Sequence, residues 1–289
     1  MMRNILTLLM IVMTTCLAIA QSLPLTGVQN ARQLGGIAIG DKRVRADVLL
    51  RSANLSAASD EDLALLHDAY CVAKVFDFRS TLEHESLPDR VIDDCDYIWL
   101  PCLDKAVKEM GPDTEGKAPR PTVSRIGEAI LQYLDSPQIK QMADSLYPMI
   151  VFDKEVQQHY STFLRALATL PEGRAALWHC TQGKDRAGCA SAFLLAALGA
   201  DRPTIVEDFA RSNIAYQPLI DQLIAKAEEK GCDEEQKNII YALVGVSVAN
   251  FEHALDAIDA RYGSLDCYLT KALGCDDTLR EKLRSLFLK

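Results

Sequence analysis

Between residues 176 and 200 the chain reads ALWHCTQGKDRAGCASAFLLAALGA, which places His179, Cys180, Lys184, Asp185 and Arg186 within eight positions, between two apolar runs. A thiol can act as a nucleophile, and an arginine six residues further on can grip two oxygens of an oxyanion in its planar fork. Gly183 lets the backbone turn tightly between them. The flanks, RAALWHC and Ala187 to Leu198, read as a buried strand and an apolar helix stopped by Gly199. A loop between such elements can turn the N–H groups of Thr181, Gln182, Gly183, Lys184, Asp185 and Arg186 into one concavity, and the helix N-terminus favours negative charge there. The nest suits a phosphate-sized anion. Cys180 lies at its base, where the helix dipole and nearby cations favour a thiolate nucleophile. An ATP-type phosphate loop is excluded, because Gly183-Lys184 is followed by Asp185 and lacks the earlier glycine.

The elements that position this string must come from the whole chain of 289 residues, 49% hydrophobic and 25% charged, which is enough to bury a full core. A formal net charge of −9 and an isoelectric point near 5.1 argue against nucleic acid and anionic membrane surfaces as partners, since those are collected by a basic field. An anion must be captured locally. Arg3 followed by the apolar run Ile5 to Ala20, closing on Ala18-Ile19-Ala20, reads as a cleaved signal peptide over residues 1–20. The mature chain is then expected to be exported, periplasmic or secreted, with no membrane span.

Cys16 would leave with that segment, and eight cysteines remain. Their irregular spacing allows one or two disulfides, the others being expected as buried apolar residues. No CxxC pair occurs, and His67, His84, His159 and His253 lack ligand spacing, so neither a metal nor another cofactor is expected. Glu83 and Glu85 read as a solvated face.

Ser59 with Asp62 three residues on predicts a helix N-terminus, with Leu63, Leu66 and Tyr70 on one face. CVAKVFDFR and DYIWLP at 96–101 read as strands. Gly111, Pro112, Gly116, Pro119 and Pro121 break any element between Asp104 and Pro121. Helical spacing returns in Val123, Ile126, Ile130, Leu131 and Leu134, and again in Val156, Tyr160, Phe163, Leu164 and Leu167 as core positions. Further helices fit Thr204 to Ser212, Phe251 to Tyr262 with Gly263 as cap, and Thr278 to Leu288. Strands alternating with helices predict an α/β fold, a central sheet flanked by helices.

HCTQGKDRAG resembles the HCxxGKDR[TA]G signature of the atypical bacterial protein tyrosine phosphatases, a family that also accepts phosphoserine, phosphothreonine and phosphoinositides. NARQLGG at 30–36, VLLRSANLS at 48–56, VFDFRS at 75–80 and YGSLDCYL at 262–269 resemble further segments of that family, with Ala187 and Phe78 standing where Thr and Leu are common. The resemblance implies a cysteine-dependent tyrosine phosphatase-like fold over residues 21–289, with 104–150 a variable loop and helical insertion, a candidate lid. It implies attack on phosphorus by Cys180, a phosphocysteine, and charge stabilisation by Arg186 and the loop amides. His179 would orient or polarise Cys180, or pack beneath the loop.

Asp185 is the first choice for the acid, since the resemblance places it there, and Asp77 at a strand end is the alternative, with a structural pairing to Arg79 as its other reading. Arg51 either supports the site or bonds a loop carbonyl. Asn30 and Arg32 read as holding the N-terminal segment against the loop. Lys184 would meet the further phosphates of a phosphoinositide or assist the nucleophile. The implied partners are a phosphorylated protein, peptide, phospholipid or inositol phosphate. Two other classes share parts of the pattern: a pseudophosphatase that binds without turnover, and a rhodanese-like sulfurtransferase, which has no use for Lys184-Asp185-Arg186.

Overall fold

A computed structural model describes residues 21–105 and 130–289. The segment 1–20 expected as a signal peptide, most of the Gly- and Pro-rich loop and the positions Val123 and Ile126 lie outside the described residues. Seven short strands are β1 (Arg32–Gln33), β2 (Ala38–Ile39), β3 (Lys42–Arg43), β4 (Leu49–Ser52), β5 (Val72–Asp77), β6 (Asp96–Trp99) and β7 (Ala175–His179). Five make one sheet in the order β1-β4-β7-β5-β6, parallel except for β1, and β2 and β3 form a separate hairpin.

β7 is buried along its whole length, as a central strand covered on both faces must be. Its register decides where chemistry can gather. His179 pairs with Ser52 of β4 on one side and with Asp77 of β5 on the other. The three strands therefore end level, and Cys180 emerges at the carboxyl edge of the sheet, where α/β proteins build their sites.

The helices are α1 (Asp60–Ala64, running into a wider turn over Leu65–Ala69), α2 (Thr81–Ser86), α3 (Pro137–Phe152), α4 (Lys154–Leu167), α5 (Arg186–Leu198), α6 (Arg202–Ala210), α7 (Ser212–Glu229), α8 (Glu234–Val244), α9 (Val248–Tyr262), α10 (Leu265–Lys271) and α11 (Asp277–Phe287). Every residue of α5 is buried. It packs over one face of the sheet with α4, whose Phe163 meets Phe76 edge-on at 5.0 Å and Trp178 at 5.4 Å. The aromatic positions of α4 are thus core, as their spacing predicts. Leu66, Leu55 and Val28 cover the other face against Leu50, Val75 and Leu177.

Local rules account for many ends. Ser59 and Asp62 form a reciprocal capping box, Asp153 and Asp201 cap α4 and α6 through their side chains, and Gly199 and Gly263 close α5 and α9 in the left-handed region. α6 starts two residues earlier than the spacing predicts. α7 and α8 were not among the expected elements; they bury Tyr216, Ile220, Leu223 and Ile240 against Ile130, Leu131 and Leu134.

The cysteine expectation needs correction. All eight described cysteines carry free thiols, and only Cys102, Cys180, Cys189 and Cys275 are buried, the others being half-buried. No helix among the described residues is long and apolar enough to cross a membrane.

Candidate active site

The loop from Cys180 to Asp185 joins β7 to α5, and its shape is imposed from outside. Gly183 has a φ of +66°, and a Cβ there would lie 2.1 Å from the carbonyl oxygen of Ser52. Both facts demand glycine.

The carbonyls of residues 181–184 are taken by side chains from neighbouring segments. Asn54 Nδ2 donates to Thr181 O at 2.8 Å, and the Tyr216 hydroxyl donates to Gln182 O at 2.6 Å. Arg51 Nη2 donates to Gly183 O at 2.7 Å and to Lys184 O at 3.2 Å. Asn30, itself in the left-handed conformation that asparagine tolerates, donates to Gln182 O at 3.2 Å and to Gly183 O at 3.0 Å. The N–H groups of residues 181–185 have no protein acceptor among the described residues. Such a nest suits an anion.

Beneath it, Arg51 and Arg32 share Asp208, at 3.1 and 2.8 Å. Burial, and for Arg32 the second guanidinium, pulls both arginines down, Arg32 to about 9. Two cations on one carboxylate leave a positive charge under the loop. Arg51 thus bonds loop carbonyls and so supports the site. Arg32 and Asn30 do anchor the N-terminal segment there.

Arg186 is held at its tip. Both of its Nη atoms donate to the two carboxylate oxygens of Glu83 in α2, Nη2 at 2.8 Å, and Nη1 also donates to Phe78 O at 3.3 Å. The Thr181 hydroxyl donates to Glu83 Oε1 as well. Glu83 Oε2 accepts from Ser80 N and Ser80 Oγ in a capping box. Against the cost of burial, Arg186 and these donors hold the Glu83 carboxyl down to about 2. The solvated-face reading of Glu83 needs correction: α2 buries no residue and the side chain is 31% exposed, yet its carboxylate is spent on Arg186 and Thr181 of the loop. Nothing ties Glu85 to the site.

Asp185 is the N-cap of α5, yet its side chain makes no capping bond. Forgoing that bond costs about 1 kcal/mol in an ordinary helix. The carboxylate turns instead to Tyr147 of α3, whose hydroxyl donates to Oδ1 at 3.0 Å. Lys184 Nζ lies 2.9 Å from Oδ2.

The Lys184 expectation is corrected by burial. Its side chain is 2% exposed, and Nζ donates to Gly245 O at 2.7 Å. It is committed inside the protein, out of reach of a second phosphate, and only its backbone N–H faces the nest.

Below Cys180 lies a buried ionic cluster. Arg79 binds Asp77 through Nε and through Nη2 at 2.7 Å, and also pairs with Asp89. His84 Nδ1 lies 2.9 Å from Asp77. His179 has Nδ1 3.6 Å from Asp77 and Nε2 3.2 Å from Asp89 Oδ2, out of line for a hydrogen bond. Burial would lower His179, but Asp77 and Asp89 overcome it and raise the imidazole. Asp77 is held far below the carboxylate range despite its burial, by His179, Arg79 and His84. A carboxylate so firmly ionised has no proton to give, so the alternative acid fails and the pairing with Arg79 is its role. Asp77, Asp89 and His179 could geometrically gather round a cation, but the Arg79 guanidinium already fills that place.

The structure therefore brings together Cys180, Arg186, Asp185 and the nest of residues 181–186. A model described as the tyrosine phosphatase family matches residues 23–289. The chain belongs to the tyrosine phosphatase family. It is 30% identical over 251 residues to a protein named as a candidate tyrosine-protein phosphatase from Cupriavidus necator, covering 86% of this chain and 83% of the relative. It is 28% identical over 284 residues to the triple specificity protein phosphatase PtpB of Mycobacterium tuberculosis, covering 91% and 98%. The enzyme is thus a protein tyrosine phosphatase.

Sequence reading missed Glu83, Asn54, Tyr216, Asp208 and Tyr147 in this phosphatase. Glu83 alone carried a signal, three residues after Ser80. Nothing in the spacing of the others marks them.

Proposed function

We propose that this phosphatase hydrolyses phosphate monoesters in two steps through Cys180. The observation that carries the reading is a loop whose carbonyls at 181–184 are bound by outside side chains while the N–H groups of 181–185 have no protein acceptor among the described residues, next to Cys180 and Arg186. In the first step sulfur attacks phosphorus, the S–P bond forms as the bond to the leaving oxygen breaks, and Asp185 protonates that oxygen. Water then attacks phosphorus, the S–P bond breaks, and phosphate leaves with the Cys180 thiolate restored. The N–H groups and the Arg186 fork stabilise the equatorial oxygens in both steps. A mere phospho-ligand binder has no need of an acid beside the nest. Sulfur transfer has no need of Arg186 and Glu83.

The substrate range we propose is phosphotyrosine together with phosphoserine and phosphothreonine, a breadth supported by the likeness to a relative named for triple specificity. Phosphoinositides belong to the same proposal through the signature resemblance. With Lys184 buried, their extra phosphates would have to be met by other groups. Export after removal of residues 1–20 completes the reading and would place these substrates outside the cytoplasm.

Phosphate release measured across phosphotyrosine, phosphoserine and phosphothreonine peptides and phosphoinositides tests this directly. Cys180→Ser is expected to abolish release while still binding phosphotyrosine peptide. More than a few per cent of residual turnover in that variant would require another nucleophile.

A further inference from the structure

Tyr147 has no counterpart in the sequence reading and no evident reason to place a hydroxyl where it does. It is 1% exposed, on α3, far from Asp185 in sequence. Its ring packs edge-on against Phe209 of α6 at 5.5 Å and against Phe251 of α9 at 6.0 Å. Those two rings stack on each other at 3.8 Å. Phe209 in turn lies against α5, since a Cβ on Gly188 would meet its ring at 2.7 Å. Three helices thus wedge one phenol against the N-terminus of a fourth. A phenylalanine would fill that wedge equally well. The hydroxyl is the part that packing does not explain.

Its single acceptor is Asp185 Oδ1, at 3.0 Å. Burial and the neighbouring carboxylate keep the phenol proton on Tyr147, so the hydroxyl is the donor. Oδ2 is differently placed. It lies 2.9 Å from Lys184 Nζ as an ion pair, while that ammonium directs its hydrogen bond to Gly245 O. Oδ2 accepts no hydrogen bond among the described residues. One carboxyl oxygen is therefore fixed by the phenol, and the other, held only by its ion pair with Lys184, is the one that can turn a proton to the leaving oxygen.

We infer that Tyr147 is a positioning residue for the proton donor: its hydroxyl holds Asp185 Oδ1 so that Oδ2 carries the proton to the leaving oxygen. This rests on Asp185 being the acid. In the first step the O–H bond on Oδ2 breaks, its proton passes to the departing alkoxide or phenoxide, and Asp185 is left as carboxylate. In the second step the attacking water returns a proton to it. The missing cap has a backbone cause: Asp185 has helical dihedrals (φ −81°, ψ −72°) rather than the extended ones from which an N-cap side chain reaches its helix, and this leaves the carboxylate free to meet Tyr147. Without the phenol, Oδ1 loses its hydrogen-bond partner and the carboxyl is free to rotate away from the leaving group.

The test is the dependence of rate on the leaving group, which packing damage alone does not alter. Tyr147→Phe, Asp185→Asn and the double variant are assayed on phenyl phosphate and on an aryl phosphate bearing strongly withdrawing substituents. Tyr147→Phe is expected to lose about tenfold in kcat/KM on phenyl phosphate and less than twofold on the activated ester. The double variant is expected to match Asp185→Asn, because both changes act through one carboxyl. Thermal midpoints for all three report whether the wedge survives. If Asp185→Asn shows the leaving-group dependence and Tyr147→Phe does not, or if the two losses multiply, the inference is overturned while Asp185 stands as the acid. An equal loss for Asp185→Asn on both esters removes the acid itself, and the inference falls with it. Should Tyr147→Phe unfold, Tyr147→Trp, which keeps an aromatic wedge without a hydroxyl, takes its place under the same criteria.

Discussion

Replacing Glu83 with Gln should weaken the protein and the anion site together, and the two effects have different signatures. In the folded protein this carboxyl is held from an ordinary 4.5 down to about 2, chiefly because the Arg186 pairing and donors from Thr181 and Ser80 outweigh burial. At about 1.4 kcal/mol for each tenfold change in proton affinity, that corresponds to roughly 3 kcal/mol of stability. The side chain is 31% exposed, so solvent screening reduces the figure to about 1.5–2 kcal/mol. The sign follows from the direction. A carboxyl depressed in the folded state stabilises fully above its unfolded value near 4.5, and the contribution fades as pH falls toward 2. Urea unfolding of wild type and Glu83→Gln at pH 7, 5 and 3.5 should therefore show a gap of about 1.5–2 kcal/mol at the two higher values and a narrowed one at the lowest. The second signature is kinetic. With its Nη atoms released, Arg186 must be ordered by each substrate, so kcat/KM should fall by about thirtyfold and inorganic phosphate should inhibit more weakly. A stability gap that stayed constant with pH would show that the pairing is not what holds Glu83. Unchanged phosphate inhibition would show that Arg186 needs no clamp.

Gly183→Ala should destabilise the protein by about 2–4 kcal/mol and remove activity, because the new methyl would collide with Ser52 O at a backbone angle that alanine resists; thermal unfolding and phosphate release check it, and a near-normal midpoint would refute the stated contact. Lys184→Ala should lower kcat/KM on phosphotyrosine peptides and phosphoinositides by the same factor within about threefold, because its ammonium is spent on Gly245 O and Asp185; a selective loss on phosphoinositides would return the side chain to the substrate.

The strand, loop and helix of the site were legible because several independent constraints coincide within twenty-five residues. The apolar runs admit only buried elements, Gly199 ends the helix, and the Cys180 to Arg186 spacing has one chemical use in that setting. The support of the loop was not legible, because Asn54, Tyr216 and Asp208 reach it from distant segments, and periodicity reports only which face of an element is buried. Glu83 shows a subtler reason. A glutamate three residues after Ser80 has a local task, and it performs it, with Oε2 closing the capping box. The local explanation is correct and incomplete, since the carboxylate also holds Arg186. Asp185 shows the converse: it precedes a helix, yet its helical backbone dihedrals leave the side chain uncapping and bonded to Tyr147 instead. Local consistency is what makes most of this chain readable, so the residues that depart from it mark where tertiary contacts compete for the same atoms. Here three such departures, an overcommitted Glu83, an uncapping Asp185 and a left-handed Asn30, all adjoin the one loop from Cys180 to Asp185. The Glu83 pairing stabilises the fold, but the forgone cap at Asp185 and the left-handed backbone at Asn30 give up folding energy beside the same concavity. It is the arrangement expected where a bound anion completes what the protein leaves unsatisfied.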